Sequence, residues 1–584
     1  MKLLERTRRF FHDDETHFVE LARHFFHRFF DNELVSPGGE AHLTLVHALA
    51  LLAVPAVLYT FYLFSVYDDI GQFFQWLYPV VSLIDRCRYV FFSMVTIGFI
   101  AVLEWDALFP DYRDYVVLTV LPLKSATVFT AKVAALGIFV ALFTVDVGGL
   151  PALLYPFVEA QGLADPRVPF LHLARMILAH GLAVGAGSAF MFLFFVALEG
   201  LLINLLSYRR FRQVSLYVQL ASMIALLSIF FLLPTISSRV PIWRRNNSLG
   251  LYLLPPAWFL GLYQRLLGIH DAVDAALARL AVGALVLAAV VSAAAYLGSY
   301  RKYVRRSFEQ SESVSAGPGW VARLLTRLAD ALVVRKPLER ASFYFVGKTL
   351  ARSSKHRLYF AAYVGVGCAF VVEGLVGLFA GRRTAGITRA DATLLSVPLV
   401  LSFFALSGMR VVFPIPAELR ANWIFQLTED ERRRECLAGV RKAMLVFVIV
   451  PLFLVLFPVD AALSGWKVAL VESLFGVTLS LALAELLLLR FFKIPFTCSF
   501  LPGKANITVL GVFYWFAFSI YAYSMASLEA WMIKHPLSLL PFFALAISGL
   551  AALIRYRNRV LDEGFQFVYE DEPEPAVRRL KLSD

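Results

Sequence analysis

Charge is scarce in this chain. Only 17% of its 584 residues are Asp, Glu, Lys or Arg, while 59% are hydrophobic and 15% aromatic. An ordinary globular domain carries about 25% charge and about 45–50% apolar residues. So small a polar stock cannot cover a soluble surface, because the interior available to hide apolar side chains is bounded by domain size. With a mean hydropathy of +0.68, the soluble, secreted, disordered and nucleic-acid-binding classes fall away together. What remains is an all-α polytopic membrane protein, and its net charge of +12 has to be read by position rather than as a total.

Cysteine is equally sparse. Cys87, Cys368, Cys436 and Cys498 lie far apart, with no CxxC pair and no histidine at zinc-ligand spacing, so they read as small apolar side chains rather than a metal or disulfide framework. No HExxH is present, and His12, His17, His24 and His27 fall on one short amphipathic stretch. Gly347-Lys348-Thr349 matches the end of a phosphate-binding loop, but the glycine that motif needs five residues earlier is Ser342, and the surrounding pattern is a basic amphipathic helix rather than a strand. The chain therefore offers no catalytic residues, no metal site, no ATP site and no cofactor site, and it is not expected to be an enzyme. No cleavable leader is expected either. Met1-Lys2 opens a charged stretch and the first long apolar run starts near His47, so the N-terminus is expected to stay in the cytoplasm.

Long apolar runs are what the sequence has in abundance. About twelve are long enough to cross a hydrocarbon core of roughly 30 Å, centred near Val57, Ile97, Phe139, Phe190, Leu226, Val286, Val371, Val400, Val450, Val477, Ala517 and Leu545. The aromatic stretch Gln72–Ile84 reads as re-entrant or interfacial. With both termini inside, most Lys and Arg fall on one face, whereas an odd count would put the rich stretch Arg301–Arg357 and Arg432-Arg433-Arg434 on opposite faces. Three segments are amphipathic without being spans. In the first, Phe18, Leu21, Ala22, Phe25, Phe26, Phe29 and Phe30 recur at helical spacing opposite Arg23, His24, His27 and Arg28, which predicts a helix in the membrane surface with its Phe stripe in lipid. The others are Trp320–Leu332 and Phe343–Arg357, the latter leading into the seventh span.

The expected organisation is thus an interfacial segment over 1–45, a first six-span half over 46–300, a cytoplasmic linker with amphipathic helices over 301–357, a second six-span half over 358–556 and a charged cytoplasmic tail over 557–584. The halves share an order of features. Phe109-Pro110 follows the second span as Phe413-Pro414 follows the eighth, and Ala197-Leu198-Glu199 ends the fourth as Leu483-Ala484-Glu485 ends the tenth. Two diverged copies in parallel orientation are expected, since six spans return the chain to its starting side.

Ionisable groups within spans are candidates for function by default. Asp146, Glu199, Glu373, Glu472 and Glu485 qualify, with Glu373 nearest a midplane and Glu199 and Glu485 near the cytoplasmic ends, where pairing with an arginine competes with a role in transport. The stretch after the second span, from Leu103 through Trp105, Asp106, Asp111, Arg113 and Asp114 to Lys124, is too polar for lipid and too short for a domain. It suits a short helix along the cytoplasmic face that docks a soluble partner.

An acidic aromatic segment after span two, then Leu121-Pro122, then Lys132 at the start of span three resembles ABC transporter permeases of the type-two exporter superfamily, as does the N-terminal surface helix. Leu254-Pro255-Pro256-Ala257-Trp258-Phe259 resembles that superfamily's outer re-entrant hairpin, and Glu418, Arg420, Trp423, Glu429 and Arg433 occupy the second half's equivalent of the docking segment. The resemblance implies a permease of an ATP-driven exporter in a bacterial plasma (inner) membrane. Its partners would be membrane lipids and two copies of a separate ATP-binding cassette ATPase, bound through Trp105, Asp106, Asp111, Arg113, Asp114 and Lys124 in one half and Glu418 to Arg433 in the other. Two features depart from the pattern: family members are usually single six-span subunits, and the loop between spans eleven and twelve has no Pro-Pro-Ala-Trp counterpart. An ion-driven secondary transporter, which should show paired charges or broken helices in its spans, and a membrane-embedded transferase, which should show a His or acidic cluster at the lipid–water boundary, are the alternatives.

Overall fold

The computed structural model describes residues 18–27, 41–109, 125–163, 169–306, 326–327, 329–331, 333–381, 391–417, 424, 433–489, 491, 493–497 and 507–562. Among them there are helices and turns and no strand. Ten of the helices are long and apolar enough to cross a membrane. The chain divides into two compact units, Met1–Val314 and Ser315–Asp584.

In the first unit α1 covers 18–27, α2 Ala41–Phe73, α3 Tyr78–Leu103, α4 Trp105–Leu108, α5 Ser125–Gln161, α6 Phe170–Leu205, α7 Tyr208–Arg245, α8 Leu249–Leu253, α9 Pro255–Leu266 and α10 Ala272–Arg306. The long helices run alternately up and down. One end of the unit gathers the close of α3, α6 and α10 with the start of α5 and α7, and α10 finishes there with Arg301, Lys302, Arg305 and Arg306. We call this the basic end. The other, the hairpin end, holds the α2–α3 turn, the close of α5 and the short pair α8–α9. The stretch Gln72–Ile84 comprises the end of α2, a 3-10 turn over Gln75–Leu77, and the start of α3 with Pro79 in its first turn, where a missing N–H costs nothing.

α3 is the central helix of this unit: 78% of its most apolar window is buried, against 17% for α7. It packs on α6, α7, α9 and α5. Part of the α1 stripe packs on protein rather than on lipid, and Phe29 and Phe30 lie outside the described residues. Leu21, Ala22 and Phe25 are buried within the unit, and the Phe25 ring lies under the Lys132 ammonium of α5, 5.1 Å from its centroid. An apolar stripe reads the same against protein as against lipid, so periodicity alone could not decide.

In the second unit α11 covers Pro337–Arg352, α12 Ser354–Gly381, α13 Ala392–Val412, α14 Arg433–Met444, α15 Val450–Ser464, α16 Trp466–Leu488, α17 Ile507–Ser519, α18 Met525–Lys534 and α19 Leu539–Asp562. α14 runs into α15 through a π turn over Leu445–Ile449, with proline in the first turn beyond it. Pro451 cannot donate to the carbonyl four residues back and its ring crowds it, which widens the helix there. A second π turn, Ile520–Ser524, joins α17 to α18. Asp391 caps α13 by accepting from Thr393 N at 2.9 Å.

Here too the second long helix is the buried one: α13 has 72% of its window inside, and a core of Phe403, Phe404, Met409, Phe413, Val448, Phe453 and Phe518 surrounds it. The amphipathic segment begins at Pro337 rather than Phe343 and breaks at Ser353, whose backbone is extended, before α12 starts. α11 lies so close to α14 that Gly439 has no room for a Cβ, which would fall on the Glu339 carbonyl and Ser342 Oγ. Gly347-Lys348-Thr349 sits inside α11, and the Phe447 ring occupies the space a side chain at 347 would need.

Candidate functional site

Within four residues α3 carries Asp85, Arg86 and Arg88, in a helix that is otherwise mostly apolar. Helical spacing puts Asp85, Arg88 and Tyr89 on one face and turns Arg86 about 100° from Asp85. On the first face Tyr59 of α2 donates to Asp85 Oδ1 at 2.5 Å and Tyr67 donates to Oδ2 at 3.1 Å. Arg88 donates to Asp85 Oδ1 at 3.1 Å, to the Tyr59 hydroxyl at 2.7 Å and to Ser237 Oγ of α7 at 3.1 Å. The Thr60 and Tyr89 hydroxyls share a hydrogen bond at 2.7 Å.

Arg86 faces α5 and the hairpin. Its Nη2 is 2.5 Å from Oε1 of Glu159, its Nη1 donates to Gln264 Oε1 of α9 at 3.0 Å, and its guanidinium lies over the Tyr263 ring at 5.5 Å. His180 of α6 meets the Tyr263 hydroxyl through Nδ1 at 3.1 Å, while its Nε2 has no hydrogen-bond partner among the described residues. Tyr67 and Tyr155 join the two sides, hydroxyl to hydroxyl, at 3.2 Å. Asp85 is 1% exposed, Arg86 6%, and Glu159 and His180 0%.

Two carboxylates thus stand against two guanidiniums, so the cluster is formally neutral and six elements meet on it. Burying ions is expensive, and even a well-made buried pair roughly breaks even against apolar packing. Its value lies in position: the cluster is where the hairpin fastens to the bundle. The hairpin is held elsewhere as well. Arg244 at the end of α7 grips Asp274 at the start of α10 with two bonds, 3.0 and 2.6 Å, and Asp271 with a third at 2.8 Å, closing the hairpin's base. Trp258 Nε1 donates to the Tyr252 carbonyl at 2.8 Å, folding α9 back on α8. Pro255 and Pro256 open α9, and Gly268 ends it with φ +84, the left-handed turn that suits glycine; the Arg175 guanidinium stands over that glycine. Gly261 lets α9 touch α10, since a Cβ there would fall on Leu277 Cβ. Chemically, the arrangement fastens the hairpin to the bundle through hydrogen bonds and ion pairs and lines up a chain of tyrosine hydroxyls and carboxylates.

Compared with protein-family models, with curated proteins and with solved structures, the chain matches none.

The residues singled out from sequence are distributed unevenly. Pro255, Pro256 and Trp258 fall in the hairpin. Trp105 is not a surface anchor: it is 1% exposed, and its Nε1 donates to Ser215 Oγ of α7 at 2.8 Å, because an indole beside an apolar bundle gains more by burial with one satisfied bond than by facing water. Asp106 lies in α4; Asp111, Arg113, Asp114, Lys124, Glu418, Arg420, Trp423 and Glu429 lie outside the described residues, and Arg433 opens α14. Glu199 is buried near the basic end, where Asn204 one turn on donates to the Ala295 carbonyl of α10 at 2.8 Å. Glu485 pairs with Arg441 at 3.0 Å and with Arg557, tying α14, α16 and α19 together. Glu373 is exposed on α12.

Asp85, Arg86, Glu159 and His180 were not among the sequence candidates. Three charges in four residues of an apolar run were the available signal; they lie near a predicted span end, where charges usually reach toward head groups. In the second unit, Glu472 and Glu529 are 3% and 1% exposed and lie within electrostatic reach of each other and of Asp460. Glu529 had also escaped notice. Among the described residues no His, Cys, Asp and Glu group has the geometry to hold a metal ion.

Proposed function

We propose that this chain is the membrane-spanning permease of an ATP-driven exporter, with about twelve spans in two six-span halves, both termini in the cytoplasm, and two separate ATPase subunits as its motor. The observation that carries the reading is the α8–α9 hairpin, a broken helical pair between the fifth and sixth long helices of the first unit. It is pinned by the Arg86–Gln264 bond and by the Arg244 clamp. A hairpin held by exchangeable polar contacts at one end of a bundle suits a gate; a plain connecting loop has no need of a buried ion cluster. The buried second helix in each unit supports descent from a duplicated six-span ancestor. The ten long apolar helices are joined, on this reading, by α2 and by the α17–α18 run, and the membrane is a bacterial plasma (inner) membrane.

An ion-driven transporter is the second reading, and one observation favours it: Glu472 and Glu529 are buried together with Asp460 nearby, the paired acids such a mechanism uses. Reconstitution separates the two. Co-expressed with a candidate ATP-binding cassette ATPase, the exporter should capture it through the segment 110–124, and cargo efflux from inverted vesicles should follow ATP. Replacing Asp111, Arg113 and Asp114 together by Ala should release the ATPase and stop efflux without changing membrane insertion. Transport that runs on a proton gradient without any ATPase would decide for the second reading.

A further inference from the structure

An apolar groove of about 590 Å³ runs along the side of the first unit, between Val133 and Val145 on α5, Gly185 and Val196 on α6, and Ala289 and Tyr296 on α10. It opens sideways, since Val133 and Val145 on its rim are 46% and 67% exposed. Of its polar members, Ser292 spends its hydroxyl on the Leu193 carbonyl at 2.7 Å, while the Tyr296 hydroxyl has no hydrogen-bond partner among the described residues. The twelve-residue rise from Val133 to Val145 spans roughly 18 Å, about the depth of one leaflet of hydrocarbon, roughly 15 Å. On all three helices the lining segment falls in or beside the half nearer the basic end.

At that end α10 carries Arg301, Lys302, Arg305 and Arg306 in its last two turns. Five residues separate Tyr296 from Arg301, roughly 8 Å along the helix, the depth at which lipid head groups begin. A trough as deep as one leaflet therefore ends where a run of cations begins. We propose that the groove holds one acyl chain of an anionic phospholipid whose head group lies at the Arg301–Arg306 end of α10. The chain gains little by leaving lipid for protein, because both are apolar; it fixes place, and the basic residues supply the preference for an anionic head. Each is worth about fivefold in affinity.

The test uses the full chain in phosphatidylcholine nanodiscs with a minor share of phosphatidylglycerol carrying a photoreactive group in mid-chain. Labelling should concentrate on peptides covering 133–145, 185–196 and 289–296. Unlabelled phosphatidylglycerol should compete better than phosphatidylcholine, and the variant Arg301→Gln, Lys302→Gln should reduce that preference on the order of 25-fold. Gly137 and Gly185 both face open space, with nothing within 4 Å of a Cβ, so Gly137→Phe or Gly185→Phe should fill the groove and remove the labelling. Should the phenylalanine variants not fold, the charge variant, altered beyond the groove, still decides. Groove labelling that survives both phenylalanines, or equal competition by the two lipids, overturns the proposal.

Discussion

Arg86 can remain an ion among apolar helices because Glu159 stands 2.5 Å from it and Gln264 accepts from its other nitrogen. The two charges are worth little as a pair and much as partners, since removing one leaves the other buried and uncompensated. Arg86→Met should therefore cost about 3–5 kcal/mol, read as a fall in Tm on the order of 5 °C for the detergent-solubilised chain. The double replacement Arg86→Met, Glu159→Leu should recover most of it, and equal losses for single and double variants would remove the claim that these two compensate each other. Glu485 poses the same question with two arginines, one of them, Arg441, 30% exposed. Arg557 is only 8% exposed, but a glutamine oxygen can still accept from both arginines, so Glu485→Gln should cost less than Arg86→Met, about 1–3 kcal/mol, in the same assay. A loss as large as that of Arg86→Met would mean that the amide does not satisfy the two arginines.

At the scale of elements, the α8–α9 hairpin depends on one close approach and one clamp. Gly261→Val pushes a branched side chain onto Leu277 and should lift α9 away from α10, pulling Tyr263 and Gln264 off His180 and Arg86. Overpacking of this kind costs about 1–3 kcal/mol. Gly283→Val, on α10 with open space around it, is the control and should cost less than about 1 kcal/mol. Limited proteolysis in the 246–271 region should rise for the first variant alone; equal cleavage of both would detach the hairpin's position from Gly261. The hairpin was legible in the sequence, because Pro255-Pro256 before an aromatic cannot continue a helix and readily starts one. What fastens it was not. Arg86 and Gln264 are 178 residues apart, and periodicity carries no information about partners at such distance. Trp105 misled for a related reason: beside acids it looks like an interface anchor, and only the fold shows Ser215, 110 residues on, waiting for its N–H.

For the whole molecule, composition carried the class and apolar length carried most of the long helices, since a bilayer forces backbone bonds into helices of fixed minimum length. α2 and the α17–α18 run fall outside the ten helices that meet the length and apolarity criteria; a π turn divides the second of them. Whether these two cross decides where the linker and tail lie. If both do, six crossings per unit return the chain to its starting side, and the basic ends of α10 and α19 share a face with the N-terminus. In a cysteine-free version of the chain, Ser315→Cys and Ser583→Cys should then resist a membrane-impermeant maleimide added to intact cells. Gln75→Cys and His270→Cys, at the hairpin end of the first unit, should react. Were α2 not to cross, residues 75 and 315 would keep their sides but the N-terminal segment would change face, so a cysteine at Ser36 is the further probe, expected to stay unlabelled. Labelling of Ser583→Cys but not Ser315→Cys would mean an odd number of crossings in the second unit and would end the reading of two equal halves.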